Sequence, residues 1–167
     1  PNSLLYLAMD GPASLAKLPE QRARRRDAAV SSLKRNCFDA QQITPGCSFM
    51  TSVEAELYAV VYDSFFVSSS RKSHLTAVID GAACVGEGEY KIIRKLLVDH
   101  IDSDAMKGRV TRAVLGLDAD MFLQALLCEV PHVYLIDPFA GAGSSNACFS
   151  VDRWRRALAA SHSKGND

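Results

Sequence analysis

Apolar residues in this chain come in short continuous runs, separated by longer stretches with amphipathic spacing. Leu4-Leu5-Tyr6-Leu7-Ala8-Met9 has no polar interruption, as expected of a strand covered on both faces in a parallel sheet. Shorter runs recur further on, so strands are predicted over 4–9, 75–79, 112–117 and 132–136. Between them the spacing becomes helical. Helices are predicted over Leu18–Leu33, over 48–66 (Phe49, Val53, Leu57, Val60, Val61), over 90–101 (Ile92, Ile93, Leu96, Leu97) and over 121–128. A last helix is predicted over 149–159 and carries the only tryptophan, Trp154. Thr51 or Ser52 is expected to cap the second helix. Thr44-Pro45-Gly46 is a clear breaker, the polar loop 68–72 suggests no chemistry, and the glycine-rich segment 141–145 reads as a flexible loop with little weight as a phosphate cradle. The alternation predicts an α/β fold with a mainly parallel, three-layer sheet.

Acids gather where these strands end. The first strand runs into Asp10-Gly11-Pro12, and the second is followed by Gly86-Glu87-Gly88-Glu89 at the head of a helix. The third leads to Asp118-Ala119-Asp120, again at the head of a helix, and the fourth to Asp137-Pro138. In parallel α/β sheets ligands bind at the carboxyl ends of strands. A single Asp-Gly or Gly-Glu-Gly-Glu is common in solvated turns, but three strand ends delivering Asp10, Glu87, Glu89, Asp118 and Asp120 point to a site. Five carboxylates held together repel one another unless cations neutralise them. All-oxygen ligands select hard divalent ions, Mg²⁺ or Mn²⁺. Paired ions of this kind suit phosphodiester hydrolysis, with a metal-activated water as nucleophile.

The helix at Leu18–Leu33 adds a second kind of chemistry. Lys17, Gln21, Arg24 and Arg25 follow the spacing i, i+4, i+7, i+8, which puts them on one helical face. Guanidinium forks, an ammonium and an amide together suit a terminal phosphate. A solvated basic face is the plain alternative; the nearby Asp10 favours the phosphate site.

Composition narrows the class. The 167 residues have room for one domain, with 48% hydrophobic and 23% charged residues and a formal net charge of zero. Nucleic-acid affinity must therefore come from a local basic patch. No apolar run approaches the length of a membrane span, and no membrane role is expected. The beginning, Pro1-Asn2-Ser3-Leu4, lacks a signal-peptide pattern and reads as a cut into a longer chain. Five cysteines (Cys37, Cys47, Cys84, Cys128, Cys148) form no Cys-x-x-Cys pair, which argues for reduced thiols in an intracellular protein. The four histidines (His74, His100, His132, His162) are equally scattered, against a zinc site. A dinucleotide-binding domain is disfavoured, since no Gly-x-Gly-x-x-Gly turn follows any strand.

Four motifs in order carry a family resemblance. They are Asp10-Gly11 with Ala16-Lys17 and Gln21-Arg22-Ala23-Arg24-Arg25, then Ile43-Thr44-Pro45-Gly46-Cys47-Ser48-Phe49-Met50, then Val85 to Ile92, then Gly116 to Asp120. The sequence resembles the amino-terminal nuclease region of the Xrn-type 5′→3′ exoribonucleases, over about residues 4–136 and more loosely over 137–167. One partial nuclease domain over 1–167 is the expected organisation. The resemblance implies a fold related to PIN and flap nucleases. It implies that Asp10, Glu87, Glu89, Asp118 and Asp120 form the catalytic magnesium cluster. It implies also that Lys17, Gln21, Arg24 and Arg25 read the 5′-monophosphate of an RNA substrate. Ser14-Leu15 stands where the family has Pro-Arg, Val85 where it has Pro, and Tyr90 where it has His; Leu15 removes a positive charge near the RNA path. The family's first strand, with a further metal-binding Asp and a base-stacking His, would precede Pro1. Gly165-Asn166-Asp167 matches only the start of its last acidic motif, which makes Asp167 a minor candidate. The competing expectation is a nuclease-derived RNA-binding or scaffold protein without catalysis. Protein partners, oligomeric state and the choice between nucleus and cytoplasm are not written in these residues.

Overall fold

The computed structural model describes residues 3–33, 38–67, 75–104, 110–116, 118–140 and 148–163. They fall into two compact units that divide between Ile92 and Ile93.

In the first unit the opening apolar run forms β1 (Ser3–Ala8). It pairs in parallel with β2 (Leu75–Asp80), from Ser3 opposite Leu75 to Ala8 opposite Asp80. Between them come α1 (Leu18–Leu33), a 3₁₀ turn (Ala40–Gln42), α2 (Ser48–Tyr62) and a π turn (Asp63–Val67) where the second helix was expected to continue. Cys47, not Thr51 or Ser52, is the N-cap of α2. Those two hydroxyls lie inside the helix and bond back to the carbonyls of Cys47 and Ser48, a common outlet for Ser and Thr within helices. α3 (Gly88–Asp104) begins in this unit, two residues before the predicted start.

The centre of this unit is polar. Lys91 is 0% exposed. Its ammonium lies 3.0 Å from Asp80 Oδ1, while Tyr6 Oη donates to Asp80 Oδ2 at 2.6 Å. A buried charge is tolerated only when paired and hydrogen-bonded, and Asp80 supplies that pairing. Burial alone would raise the Asp80 carboxyl, but hydrogen bonds from Tyr6, Lys91 and Cys84 outweigh it and hold it below its usual range.

The second unit contains the remainder of α3, with Ile93 and Leu96 buried, and then β3 (Arg112–Leu115) and α4 (Ala119–Leu127). β4 (Val133–Ile136), β5 (Cys148–Ser150) and α5 (Val151–Ser163) complete it. β3 pairs in parallel with β4, and β4 pairs antiparallel with β5. Val114 on β3 and Val133 and Leu135 on β4 turn inward at every second residue and meet Met121, Ala125, Val130 and Val151 in an apolar core. Phe149 and Ser150, expected within the last helix, are strand residues because they continue the ladder on β4. α5 braces α4: Arg155 donates to the carbonyls of Ala125, Leu126 and Val130 at 2.6, 2.9 and 3.0 Å. The first two belong to the last turn of α4, where carbonyls lack intrahelical partners.

The α/β class agrees with the alternation in the sequence. Where the alternation predicts one mainly parallel three-layer sheet, the described strands pair as a two-stranded and a three-stranded sheet, β1-β2 and β3-β4-β5. Among the described residues, no helix is long and apolar enough to cross a membrane.

The lowered Asp80 carboxyl predicts an acid-sensitive fold. Its native value lies below the unfolded one, so the unfolded chain takes up the proton first as pH falls. The stabilisation is therefore complete above the unfolded value, about 4, and is lost as pH falls through the native value. In urea titrations the stability gap between the unaltered protein and Asp80→Asn should narrow from about pH 5 downward. A gap that stays constant from neutral to acid pH would contradict this.

Candidate active site

The first unit brings its predicted acids to the ends of β1 and β2. Asp10, two residues past the end of β1, accepts the backbone N–H of Gly88 on Oδ1 at 2.6 Å. That N–H begins α3, where the helix leaves unpaired donors and favours negative charge. Two backbone bonds fasten the turns to each other: Gly11 N–H to the Gly86 carbonyl at 2.9 Å, and Gly86 N–H to the Pro12 carbonyl at 3.1 Å. The approach is so close that a Cβ on Gly11 would stand 1.7 Å from the Cys84 carbonyl oxygen. Gly86 has a φ of +113°, which side chains rarely adopt. These glycines let the carboxylates of Asp10, Glu87 and Glu89 be delivered from neighbouring backbone.

The basic helix meets the acids through Lys17. Its ammonium lies 2.7 Å from Glu87 Oε2, just before the first residue of α1. Along α1, Gln21 and Arg25 are half-buried, and Arg25 Nη2 donates to Gln21 Oε1 at 3.3 Å. Arg24 belongs to the exposed side, where it pairs with Glu20. Pro19, Arg22, Arg25 and Arg26 line a shallow groove on the same helix. The predicted four-residue face is thus divided: Lys17 reaches the acid turn, Gln21 and Arg25 bind each other, and Arg24 faces outward.

In the second unit Asp118 is the N-cap of α4, and its carboxylate makes no capping hydrogen bond. Asp120 lies in the first turn of the same helix, and both are exposed. Aspartate at an N-cap ordinarily bonds the N–H groups of the next turn. Asp137, in contrast, accepts the Phe139 N–H on Oδ1 at 2.8 Å, an ordinary turn contact. Asp167 lies outside the described residues.

All the assigned ligands are carboxylates, a donor set suited in its chemistry to a hard divalent ion. Among the described residues, however, no three Asp, Glu, His or Cys side chains are gathered closely enough to hold a metal. Cys47, Cys84, Cys128 and Cys148 are free thiols.

The roles of Asp80 and Lys91 are not visible in the sequence. Asp80 directly follows the predicted second strand and resembles a turn residue, while Lys91 in an amphipathic helix resembles a surface lysine. Tertiary contacts set their roles: Lys91 falls on the buried stripe of α3 with Gly88, and Tyr6 of β1 lies two residues before Ala8, the partner of Asp80 in the parallel register.

Residues 26–137 match the family described as XRN 5'-3' exonuclease N-terminus. That stretch includes Glu87, Glu89, Asp118 and Asp120, whereas Asp10, Lys17, Gln21, Arg24 and Arg25 precede it. The chain is 34% identical over 149 residues to 5'-3' exoribonuclease 1 of Schizosaccharomyces pombe, covering 81% of this chain and 11% of that protein. It is 30% identical over 162 residues to 5'-3' exoribonuclease 1 of Saccharomyces cerevisiae, covering 88% and 10%. With 5'-3' exoribonuclease 2 of Saccharomyces cerevisiae the identity is 29% over 168 residues, covering 84% and 16%. The chain therefore spans between a tenth and a sixth of the length of these relatives. On the extent of the family match, this chain belongs to the XRN 5'-3' exonuclease family, within its amino-terminal region.

Proposed function

We propose that this chain is part of the nuclease domain of a magnesium-dependent 5′→3′ exoribonuclease that acts on RNA with a 5′-monophosphate. The observation that carries the proposal is the meeting of Asp10, the Glu87–Glu89 turn and Lys17 at one end of β1 and β2. Acid chemistry for a divalent ion and basic chemistry for a phosphate are there side by side. The names of the similar proteins support the same activity. A PIN- or flap-nuclease-like domain with a mainly parallel three-layer sheet is part of the proposal.

Asp10, Glu87, Glu89, Asp118 and Asp120 would hold Mg²⁺ or Mn²⁺. Such ions, when bound, neutralise the phosphodiester's charge and lower the pKa of water. The chain's own residues position the substrate. Lys17, Gln21, Arg24 and Arg25 would supply donors to a terminal phosphate, Arg24 by leaving its pair with Glu20, and charge-assisted bonds of this kind are the strong ones. Lys17 links this group to Glu87, so a phosphate bound there sits beside the acid turn. A pocket sized for one phosphate rejects capped and triphosphorylated ends through clashes and unpaired charge. Asp118 makes no capping bond and so keeps its carboxylate available for a ligand.

Glu89→Ala and Asp118→Ala should each abolish RNA hydrolysis by the natural protein that carries this sequence, while filter binding shows RNA affinity largely intact. Turnover retained in both variants would remove these carboxylates from the site. RNA bound but never cleaved by the unaltered protein would favour an RNA-binding role without catalysis. Arg25→Ala should reduce the preference for 5′-monophosphate over 5′-hydroxyl RNA roughly 10- to 100-fold, in line with about 1.5–3 kcal/mol for bonds to charged groups. An unchanged preference in competition assays would place the phosphate pocket elsewhere.

A further inference from the structure

We propose that Lys91 is a positioning residue for the metal-binding carboxylates of the first unit; the inference rests on the exoribonuclease proposal and adds a residue outside its acid set. The Lys91 ammonium is 2.9 Å from the Met9 carbonyl oxygen, 2.9 Å from that of Gly81 and 3.0 Å from Asp80 Oδ1. The two carbonyls accept hydrogen bonds from the ammonium, and Asp80 neutralises it as an ion pair. The side chain is 0% exposed, so bulk water cannot replace a lost partner.

Each contact adjoins a part of the site. Met9 immediately precedes Asp10, and Gly81 opens the turn that leads to Glu87. The backbone N–H of Lys91 donates to the Glu87 carbonyl at 3.0 Å, and Glu89 lies two residues before it on the same helix. One residue thus fixes the three segments that deliver Asp10, Glu87 and Glu89. Glu54 of α2 supports the same turn, accepting the Ala82 N–H on Oε2 at 3.2 Å.

The effect runs through position more than through charge. Asp80 neutralises the ammonium, and Tyr6 holds the other Asp80 oxygen. The Lys91–Asp80 pair therefore adds little net field to the acids above it. Position matters because Mg²⁺ demands near-ideal octahedral geometry with short bonds to oxygen. Residues that hold ligands in place are worth about 10- to 100-fold in metal affinity.

The test uses the natural protein that carries this sequence, with Lys91→Met, Lys91→Arg and the double variant Lys91→Met/Asp80→Leu. Mn²⁺ binding is measured by calorimetry without RNA, RNA binding in EDTA, and folding by circular dichroism. Lys91→Met should bind Mn²⁺ about 10- to 100-fold more weakly, with a matching rise in the Mn²⁺ needed for half-maximal hydrolysis and unchanged RNA affinity in EDTA. Lys91→Arg keeps the charge, but its larger planar guanidinium does not fit the fully buried position between the two carbonyls and Asp80, and the variant should show the same loss. The double variant leaves no lone buried carboxylate, so it tests metal affinity even where Lys91→Met alone does not fold. Unaltered Mn²⁺ affinity in any folded variant overturns the inference, and so does failure of all three to fold, which would give Lys91 a purely structural role. An unaltered protein that neither binds Mn²⁺ nor cleaves RNA overturns the exoribonuclease proposal itself.

Discussion

A buried ammonium holds the first unit of this chain together. Taking Lys91 out of water carries a large desolvation penalty, and the structure meets it with two carbonyls and the Asp80 carboxylate. An apolar residue in the same place would cost less but would bond to neither carbonyl. The directional bonds matter because the turns they join carry Asp10 and Glu87 and contain several glycines. Gly11 and Gly86 permit the close approach of those turns, and Lys91, Asp10 and the paired backbone bonds keep it in one conformation.

The second unit is stabilised differently. Its centre is apolar, with Ala125, Val130, Val133, Leu135 and Val151 fully buried. Arg155 closes the end of α4 through backbone carbonyls rather than through a buried carboxylate partner. Asp118 and Asp120 then stand exposed at the opposite, amino-terminal end of α4, where the helix favours negative charge. Acids in both units therefore use the start of a helix, α3 in one and α4 in the other. The repeated pattern of strand, two acids and helix in the sequence corresponds to this shared placement.

Much of the architecture was legible from spacing alone. The continuous apolar run of β1 and the amphipathic spacing of α3 placed those elements to within about three residues, because burial of a face dictates their periodicity. Other features depend on partners distant in sequence. Cys148-Phe149-Ser150 is a strand only because β4 lies beside it. The division of the described strands into two sheets follows from which of them pair, and apolar runs carry no information about that choice. The same limit applies to the candidate site. Carboxylates at strand ends were visible as residue types, whereas the roles of Asp80 and Lys91 emerge only when β1 and β2 align and bring Tyr6 to Asp80. On α1 the helical spacing grouped Arg24 with Arg25, but Glu20, one turn earlier, draws Arg24 outward.

The central claim is that the acid turn and the basic helix act together on the 5′ end of an RNA. The most direct measurement compares degradation of matched RNAs with 5′-monophosphate, 5′-triphosphate and 5′-hydroxyl ends by the natural protein, with and without Mg²⁺. Mg²⁺-dependent digestion of the monophosphate RNA alone, proceeding from its 5′ end, is the predicted result. Digestion indifferent to the 5′ end, or RNA bound and left intact in Mg²⁺, would contradict it.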